Sequence, residues 1–345
     1  MQKKTGPRTP RITIREVASD AGVSVAAVSK VLRDAYGVSE ALRAKVQASM
    51  EKLNYRPLAS ARGLRGRTYT IGLLLPDLRN PFFADIFDGV TSALARTQYQ
   101  AMQGISVTAS ELVDAMIDRQ MDGLILIGPN EMAERISEIA HRVPLVLIGH
   151  HEPGDESFDT VNNDDQLGAR LVVRHLHANG YRRIAMISLA RASTVVSQRE
   201  LGYRLEMVDH GLGSDTLIIR STQVLRDVQL AVRRLLESDN RPDAIFCWTD
   251  LIAIEAISVA TELGVSIPHD VAIVGYDNTM YCDFAQHRLT SVDQSGELLG
   301  IQAARLLVER IEGRTAPEHF VVTPRIVARA SSAKSSRTSK SGQDR

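Results

Sequence analysis

Five short stretches of this 345-residue chain gather side chains suited to hydroxyl-rich molecules. They are Asp77-Leu78-Arg79-Asn80-Pro81-Phe82-Phe83, Gly128-Pro129-Asn130, Gly149-His150-His151, Trp248-Thr249-Asp250 and Gly275-Tyr276-Asp277-Asn278. Carboxylates and amides offer two-pronged partners for neighbouring hydroxyls, and flat rings suit the C–H face of a sugar. About half of these Asp and Asn residues are expected only to cap helices and turns. Trp248, the one tryptophan, is open between stacking on a ligand ring and packing in a core. Nothing here reads as an enzyme. No nucleophile accompanies a base, and no GxGxxG, P-loop or GxSxG string marks a cofactor or catalytic elbow.

The front of the chain carries a different chemistry. Residues 1–67 hold 14 Lys and Arg against five acids, although the whole chain balances 41 against 41. A basic head on an acidic body points to a polyanion partner for the head alone. Thr13-Ile14-Arg15-Glu16 forms a capping box, the Thr13 hydroxyl accepting from the Glu16 amide while Glu16 reaches back. The helix it opens has Ile14, Val17, Ala18 and Ala21 on one face and stops at Gly22. Ser24 caps a second helix almost at once, so the three residues Ala21, Gly22 and Val23 make the turn of a helix-turn-helix. Ser39 caps a third, with Leu42, Val46, Met50 and Leu53 as its buried stripe and Tyr55-Arg56-Pro57 as its stop. The second helix shows Ala26, Ala27, Ser29 and Lys30 outward, a surface slim enough for the major groove. Beyond lies the Arg- and Gly-rich Leu58–Arg67, which includes Arg62 and one central leucine, Leu64. These features together read as a DNA-binding head.

The remaining sequence alternates short apolar runs with amphipathic patterns. The runs are Thr70–Leu75, Gly123–Ile127, Pro144–Ile148, Arg183–Ile187, Ala244–Cys247 and Val271–Val274. Helical periodicity falls near Phe82–Arg96, Leu112–Gln120, Ala133–His141, Gln166–Ala178, Gln198–Val208, Asp227–Leu236 and Leu251–Leu263. Such alternation predicts parallel, doubly wound α/β sheets, and the length predicts two lobes. Ligands of such sheets bind at the carboxyl ends of the strands, where the five polar stretches lie.

The ordered string ITIREVASDAGVSVAAVSKVL, VSEALRAKVQ, LNYRPLASARGLR and IGLLLPDLRNPFF resembles the lactose-repressor (LacI/GalR) family, from about Arg11 to Ser331. The resemblance implies a helix-turn-helix head and hinge on two periplasmic-binding-protein-like lobes, working as an effector-controlled transcription regulator, most often a repressor. It implies DNA contacts by Thr13, Ser24, Val25, Ala26, Ser29, Lys30, Tyr55, Arg62 and Leu64, the last as a minor-groove wedge. It implies effector contacts by Phe82, Phe83, Asp164, Arg199, Trp248, Thr249, Asp277 and Gln294. The partners so implied are a palindromic operator, a sugar or sugar acid, and a second copy of the chain, dimer or tetramer. Departures stand out. Ala27 and Leu42 replace frequent Thr, Leu58 replaces the usual Asn, and Thr249 falls where Asn is commoner. Ser221-Thr222-Gln223 lacks a stacking aromatic, and Tyr99 to Asp122 is about five residues short.

The expected organisation is a basic N-terminus 1–10, the head 11–57, a hinge 58–68, the core 69–331 and a disordered Ser- and Lys-rich tail 332–345. Within the core, 69–162 with 293–322 should form one lobe and 163–292 with 323–331 the other. Neither His150-His151 nor His175-x-His177 has partner ligands at metal spacing, and Cys247 and Cys282 make no zinc motif. MQKKTGPRTPR lacks a signal-peptide core and no apolar run reaches 18 residues, so a cytoplasmic protein without membrane contact is expected. An exported sugar-binding protein and an α/β enzyme are the rival readings. The basic head argues against the first, and the missing catalytic pair against the second.

Overall fold

The computed structural model describes residues 12–32, 35–55, 67–105, 109–128, 135–150 and 157–333. Arg62 and Leu64, and most of the expected hinge, lie outside them. The chain divides into a head ending at Tyr69 and a core beginning at Thr70.

The head contains α1 (Ile14–Asp20), α2 (Val25–Leu32) and α3 (Glu40–Lys52). Val17, Ala18, Ala21, Val28, Val31 and Val46 form its buried centre, with Ile14, Leu42, Met50 and Leu53 packed around them. Gly22 has φ +59°, a left-handed conformation that lets the chain leave α1 and enter α2 within three residues. The expected capping box is present at Thr13 and Glu16: Glu16 Oε2 accepts the Thr13 amide at 2.6 Å and the Thr13 hydroxyl at 2.9 Å. Helix α3 stops earlier than Pro57 requires. Asn54 turns left-handed at φ +48°, and the Tyr55 amide closes back on the Met50 carbonyl at 2.8 Å.

The core begins with β1 (Thr70–Leu75), α4 (Phe82–Leu94), β2 (Gln100–Ile105), α5 (Ala109–Asp118) and β3 (Gly123–Ile127). Next come α6 (Ile136–Arg142), β4 (Leu145–Ile148), β5 (Asp159–Asn163), α7 (Asp165–Ala178), β6 (Ile184–Leu189) and α8 (Thr194–Asp209). They are followed by β7 (Leu217–Ser221), α9 (Leu225–Leu236), β8 (Ala244–Cys247), α10 (Asp250–Glu262) and β9 (Ala272–Asp277). Last are β10 (Thr290–Asp293), α11 (Gly296–Ile311), β11 (His319–Val322) and β12 (Arg325–Val327).

Two six-stranded sheets result, ordered β11-β5-β4-β3-β1-β2 and β12-β10-β9-β8-β6-β7. All their pairings are parallel except β10 with β12. The chain crosses between sheets after β5, after β10 and after β11, so the first lobe is completed by α11 and β11 and the second by β12. Strands β1, β3, β4, β6, β8 and β9 are mostly apolar and buried, as two-faced parallel strands must be.

Close helix crossings set the lobe geometry. A Cβ on Gly89 of α4 would stand 2.0 Å from the Glu297 carbonyl oxygen, and one on Gly300 of α11 2.0 Å from that of Ile86. The two backbones therefore approach nearer than any side chain permits. The ordered core also passes its expected end at Ser331. Ser332 is buried, with its hydroxyl 2.8 Å from His175 Nε2 and 2.6 Å from Thr290 Oγ1.

Candidate functional site

In the head, the outward face of α2 carries Ala26 and Lys30, both exposed, with Val25 42 % exposed at its first turn. Ser24 caps the helix, its hydroxyl accepting the Ala27 amide at 3.1 Å. Ser29 departs from expectation: it is 7 % exposed and turned inward. It follows Val28 and precedes Leu32 by three, which places it on the rim of the packed face rather than opposite it. Ala27 is half-buried for the same reason, and Tyr55 packs against the head's core. Thr13 is exposed at the start of α1. The surface left for reading is therefore narrower than the sequence suggests: one cation, one small side chain and one valine.

In the core, the carboxyl ends of the second sheet converge on Arg199. This arginine of α8 is buried, and its guanidinium lies 3.6 Å from the ring centre of Tyr276 and 4.2 Å from that of Trp248. Its Nε donates to Asp165 Oδ1 at 2.7 Å, Nη1 to the Trp248 carbonyl at 2.9 Å and Nη2 to Gln294 Oε1 at 3.3 Å. Burial disfavours the charge, but Asp165 foremost, with Tyr276 and Asp277, raises the guanidinium's pKa above its usual value. Asp165 also receives His150 Nε2 on Oδ2 at 2.9 Å, and His150 follows β4 of the other lobe.

Asp277 ends β9 at φ +114°, a conformation side chains seldom tolerate, and Asn278 follows at +55°. Its carboxylate accepts Asn80 Nδ2 at 2.7 Å, and Gln294 Nε2 on the other oxygen. Gln294 Oε1 in turn accepts Asn163 Nδ2 from β5. Burial, then the neighbouring Asp250, pushes Asp277 up to about 8, with Arg199, Asn80 and Gln294 opposing. The Tyr276 hydroxyl is buried against Gly168 of α7, with no hydrogen-bond partner among the described residues.

Several of these polar and aromatic residues also serve the scaffold. Asp164 caps α7, accepting the Leu167 amide at 2.8 Å, and Thr249 caps α10, accepting the Ile252 amide at 3.4 Å. Asp250 is wholly buried, tying the Thr279 amide at 2.6 Å and the Ser291 hydroxyl at 2.5 Å. Trp248 belongs to the core and presents one ring face to Arg199. Phe82 and Phe83 stand at the start of α4 with ring centres 5.7 Å apart, Phe82 buried and Phe83 half-buried. The groups not singled out as contacts were Asn80, His150, Asn163, Asp165 and Tyr276. Their signal was adjacency: each lies within two residues of a strand end or of a residue that was chosen. Among the described residues no group of three or more His, Cys, Asp or Glu could hold a metal ion. His175 instead meets Ser332, and His177 stacks on His210 at 4.0 Å.

Known proteins share both halves of this arrangement. Residues 13–57 match the family of bacterial regulatory proteins, lacI family, and residues 173–332 a periplasmic binding protein-like domain. Catabolite control protein A of Priestia megaterium is 32 % identical over 321 residues, covering 91 % of this chain and 96 % of its own. The chain belongs to the LacI family. Another relative, the ribose operon repressor of Escherichia coli, is 31 % identical over 332 residues, covering 92 % of this LacI-family chain and 99 % of itself. Among solved structures, a transcriptional regulator CelR–cellobiose complex superposes with a TM-score of 0.69 at 29 % identity, covering 93 % and 100 % of the two chains. The lac repressor dimer bound to operator and an anti-inducer reaches 0.82 at 23 % identity over 94 % and 99 %, which speaks for the fold. A LacI-family chain of this kind joins a DNA-binding helix-turn-helix to an effector-binding core.

Proposed function

We propose that this protein is a metabolite-controlled transcriptional repressor whose effector is an uncharged sugar bound between the core lobes. The observation that carries the reading is the Asn80–Asp277–Gln294–Asn163 network, which joins the two lobes through groups that hydroxyls imitate well. A sugar hydroxyl donates to Asp277 as Asn80 does, so ligand entry and lobe closure draw on one set of bonds. Arg199 supplies guanidinium donors nearby, and Phe82 and Phe83 supply rings. Arg199 is already paired with the buried Asp165, which leaves it little charge to offer a sugar acid.

The repressor acts as a homodimer on a palindrome, since one head spans only a half-site and two-fold symmetry doubles it. Large exposed apolar side chains on the core, among them Val224, Leu225, Met280 and Phe284, suit a second copy. It works in the cytoplasm and catalyses nothing; no described helix is long and apolar enough to cross a membrane. The test is calorimetric titration of the full chain with pentoses, hexoses and the matching sugar acids. A neutral sugar should bind, and Asp277→Asn should weaken it at least tenfold. Binding confined to sugar acids would contradict the assignment.

A further inference from the structure

The reading face of α2 is short of hydrogen-bonding groups, and the turn that follows supplies one. Among the described residues of the head, Val25 and Tyr36 are the large apolar side chains that stand exposed, Tyr36 completely so. They flank the recognition helix: Val25 is its first residue, and Tyr36 sits four residues past its last, Leu32. The Ala35 amide donates to the Lys30 carbonyl at 3.1 Å, so the chain leading to Tyr36 closes back on the end of α2 that bears Lys30. Gly37 then turns the chain at φ +82°, with open space where a Cβ would stand. Tyr36 therefore projects from the tip of a tight turn with nothing among the described residues to cover its ring.

Helix α2 has eight residues, about 12 Å at 1.5 Å per residue, close to the width of the major groove. When the first turn of a recognition helix meets base edges, the chain past its last turn lies nearer a groove wall of sugar and phosphate. A tyrosine suits that wall, the ring packing on deoxyribose and the phenol donating to a phosphate oxygen.

We propose that Tyr36 is a DNA-positioning residue that packs on the operator backbone and donates its hydroxyl to a phosphate, fixing how α2 enters the groove. It rests on the DNA-binding role of the head but not on the effector assignment. Being uncharged, Tyr36 releases no counterion, which separates its contribution from that of a lysine.

The test uses the full chain as wild type, Tyr36→Phe, Tyr36→Ala and, for comparison, Lys30→Ala. Each is measured against the duplex that wild type enriches from a random pool, its single-base-pair variants, and a fixed mixed-sequence duplex at low salt. Tyr36→Phe should lose roughly tenfold in affinity and Tyr36→Ala more, by equal factors on every duplex. The slope of log affinity against log salt should stay at the wild-type value for both, while Lys30→Ala lowers it by about one. Melting temperatures should not move, because the side chain packs on none of the described residues. Wild-type affinity in both Tyr36 variants would overturn the proposal. So would a changed base preference, which would make Tyr36 a base contact, or a salt slope altered as in Lys30→Ala. If wild type itself ignores every duplex, the DNA-binding role of the head fails, and that failure is distinguishable from the loss of Tyr36 alone.

Discussion

Asn80 and Asp277, 197 residues apart, meet at 2.7 Å across the two lobes of the core. Asn80 precedes the first core helix and anchors it as well, its Oδ1 accepting the Phe82 amide at 3.1 Å. One amide thus holds the aromatic wall of the first lobe and reaches the principal acceptor of the second. Replacing it with alanine leaves a buried acceptor of Asp277 unsatisfied, at a cost of about 1–3 kcal/mol. Asn80→Ala should lower core stability by an amount in that range in urea denaturation. An unchanged midpoint would mean that the lobes are held elsewhere.

Arg199 is expected to be structural as well as ligand-binding. Its partner Asp165 is buried, so Arg199→Ala strands a charge and should cost about 3–5 kcal/mol. Arg199→Lys keeps the charge but loses the planar fork that serves Asp165, Trp248 and Gln294 together. The lysine variant should fold, bind operator and fail to respond to effector. A normal response in it would remove Arg199 from the ligand site.

The raised Asp277 gives the core a pH dependence of definite sign. An acid titrating near 4 when unfolded and at about 8 when folded leaves the folded state holding the extra proton between those values. Stability must then fall as pH rises from about 4 to about 8 and level off above. Denaturant midpoints at pH 6 and pH 9 should differ in that direction, and the difference should shrink in Asp277→Asn. The opposite slope would show that Asp277 is ionised without penalty.

Gly89 and Gly300 let α4 and α11 touch backbone to backbone. A methyl at either position meets a carbonyl oxygen that cannot move without shifting the helix, so Gly89→Ala and Gly300→Ala should each cost about 1–3 kcal/mol. Denaturation curves check this. A neutral result for either would mean that the crossing is looser than drawn.

How much of this was legible depended on burial. Strand β1, apolar after Thr70, coincides with its sequence run, and the Ile14–Val17–Ala21 face packs as its spacing requires. Strands β2 and β5, Gln100–Ile105 and Asp159–Asn163, were invisible because edge exposure or buried polar partners leave them without an apolar signature. In the cleft, Asp164 and Asp165 are identical in type and adjacent. Only the helix start decides that the first caps α7 and the second faces Arg199. Trp248 was open between two roles for a comparable reason, and its core position follows from the sheet and not from its composition. Ser29 looked exposed because the polar residue type outweighed its place on the helix wheel.

The central claim is that a small molecule in the cleft governs operator affinity. The most direct measurement is selection from a randomised duplex pool with full-length protein at physiological salt, with and without a low-molecular-weight metabolite extract. Arg199→Lys is carried in parallel. A palindrome whose enrichment changes with extract for wild type, and not for Arg199→Lys, is the predicted result. A palindrome enriched equally in every arm, or none at all, would contradict it.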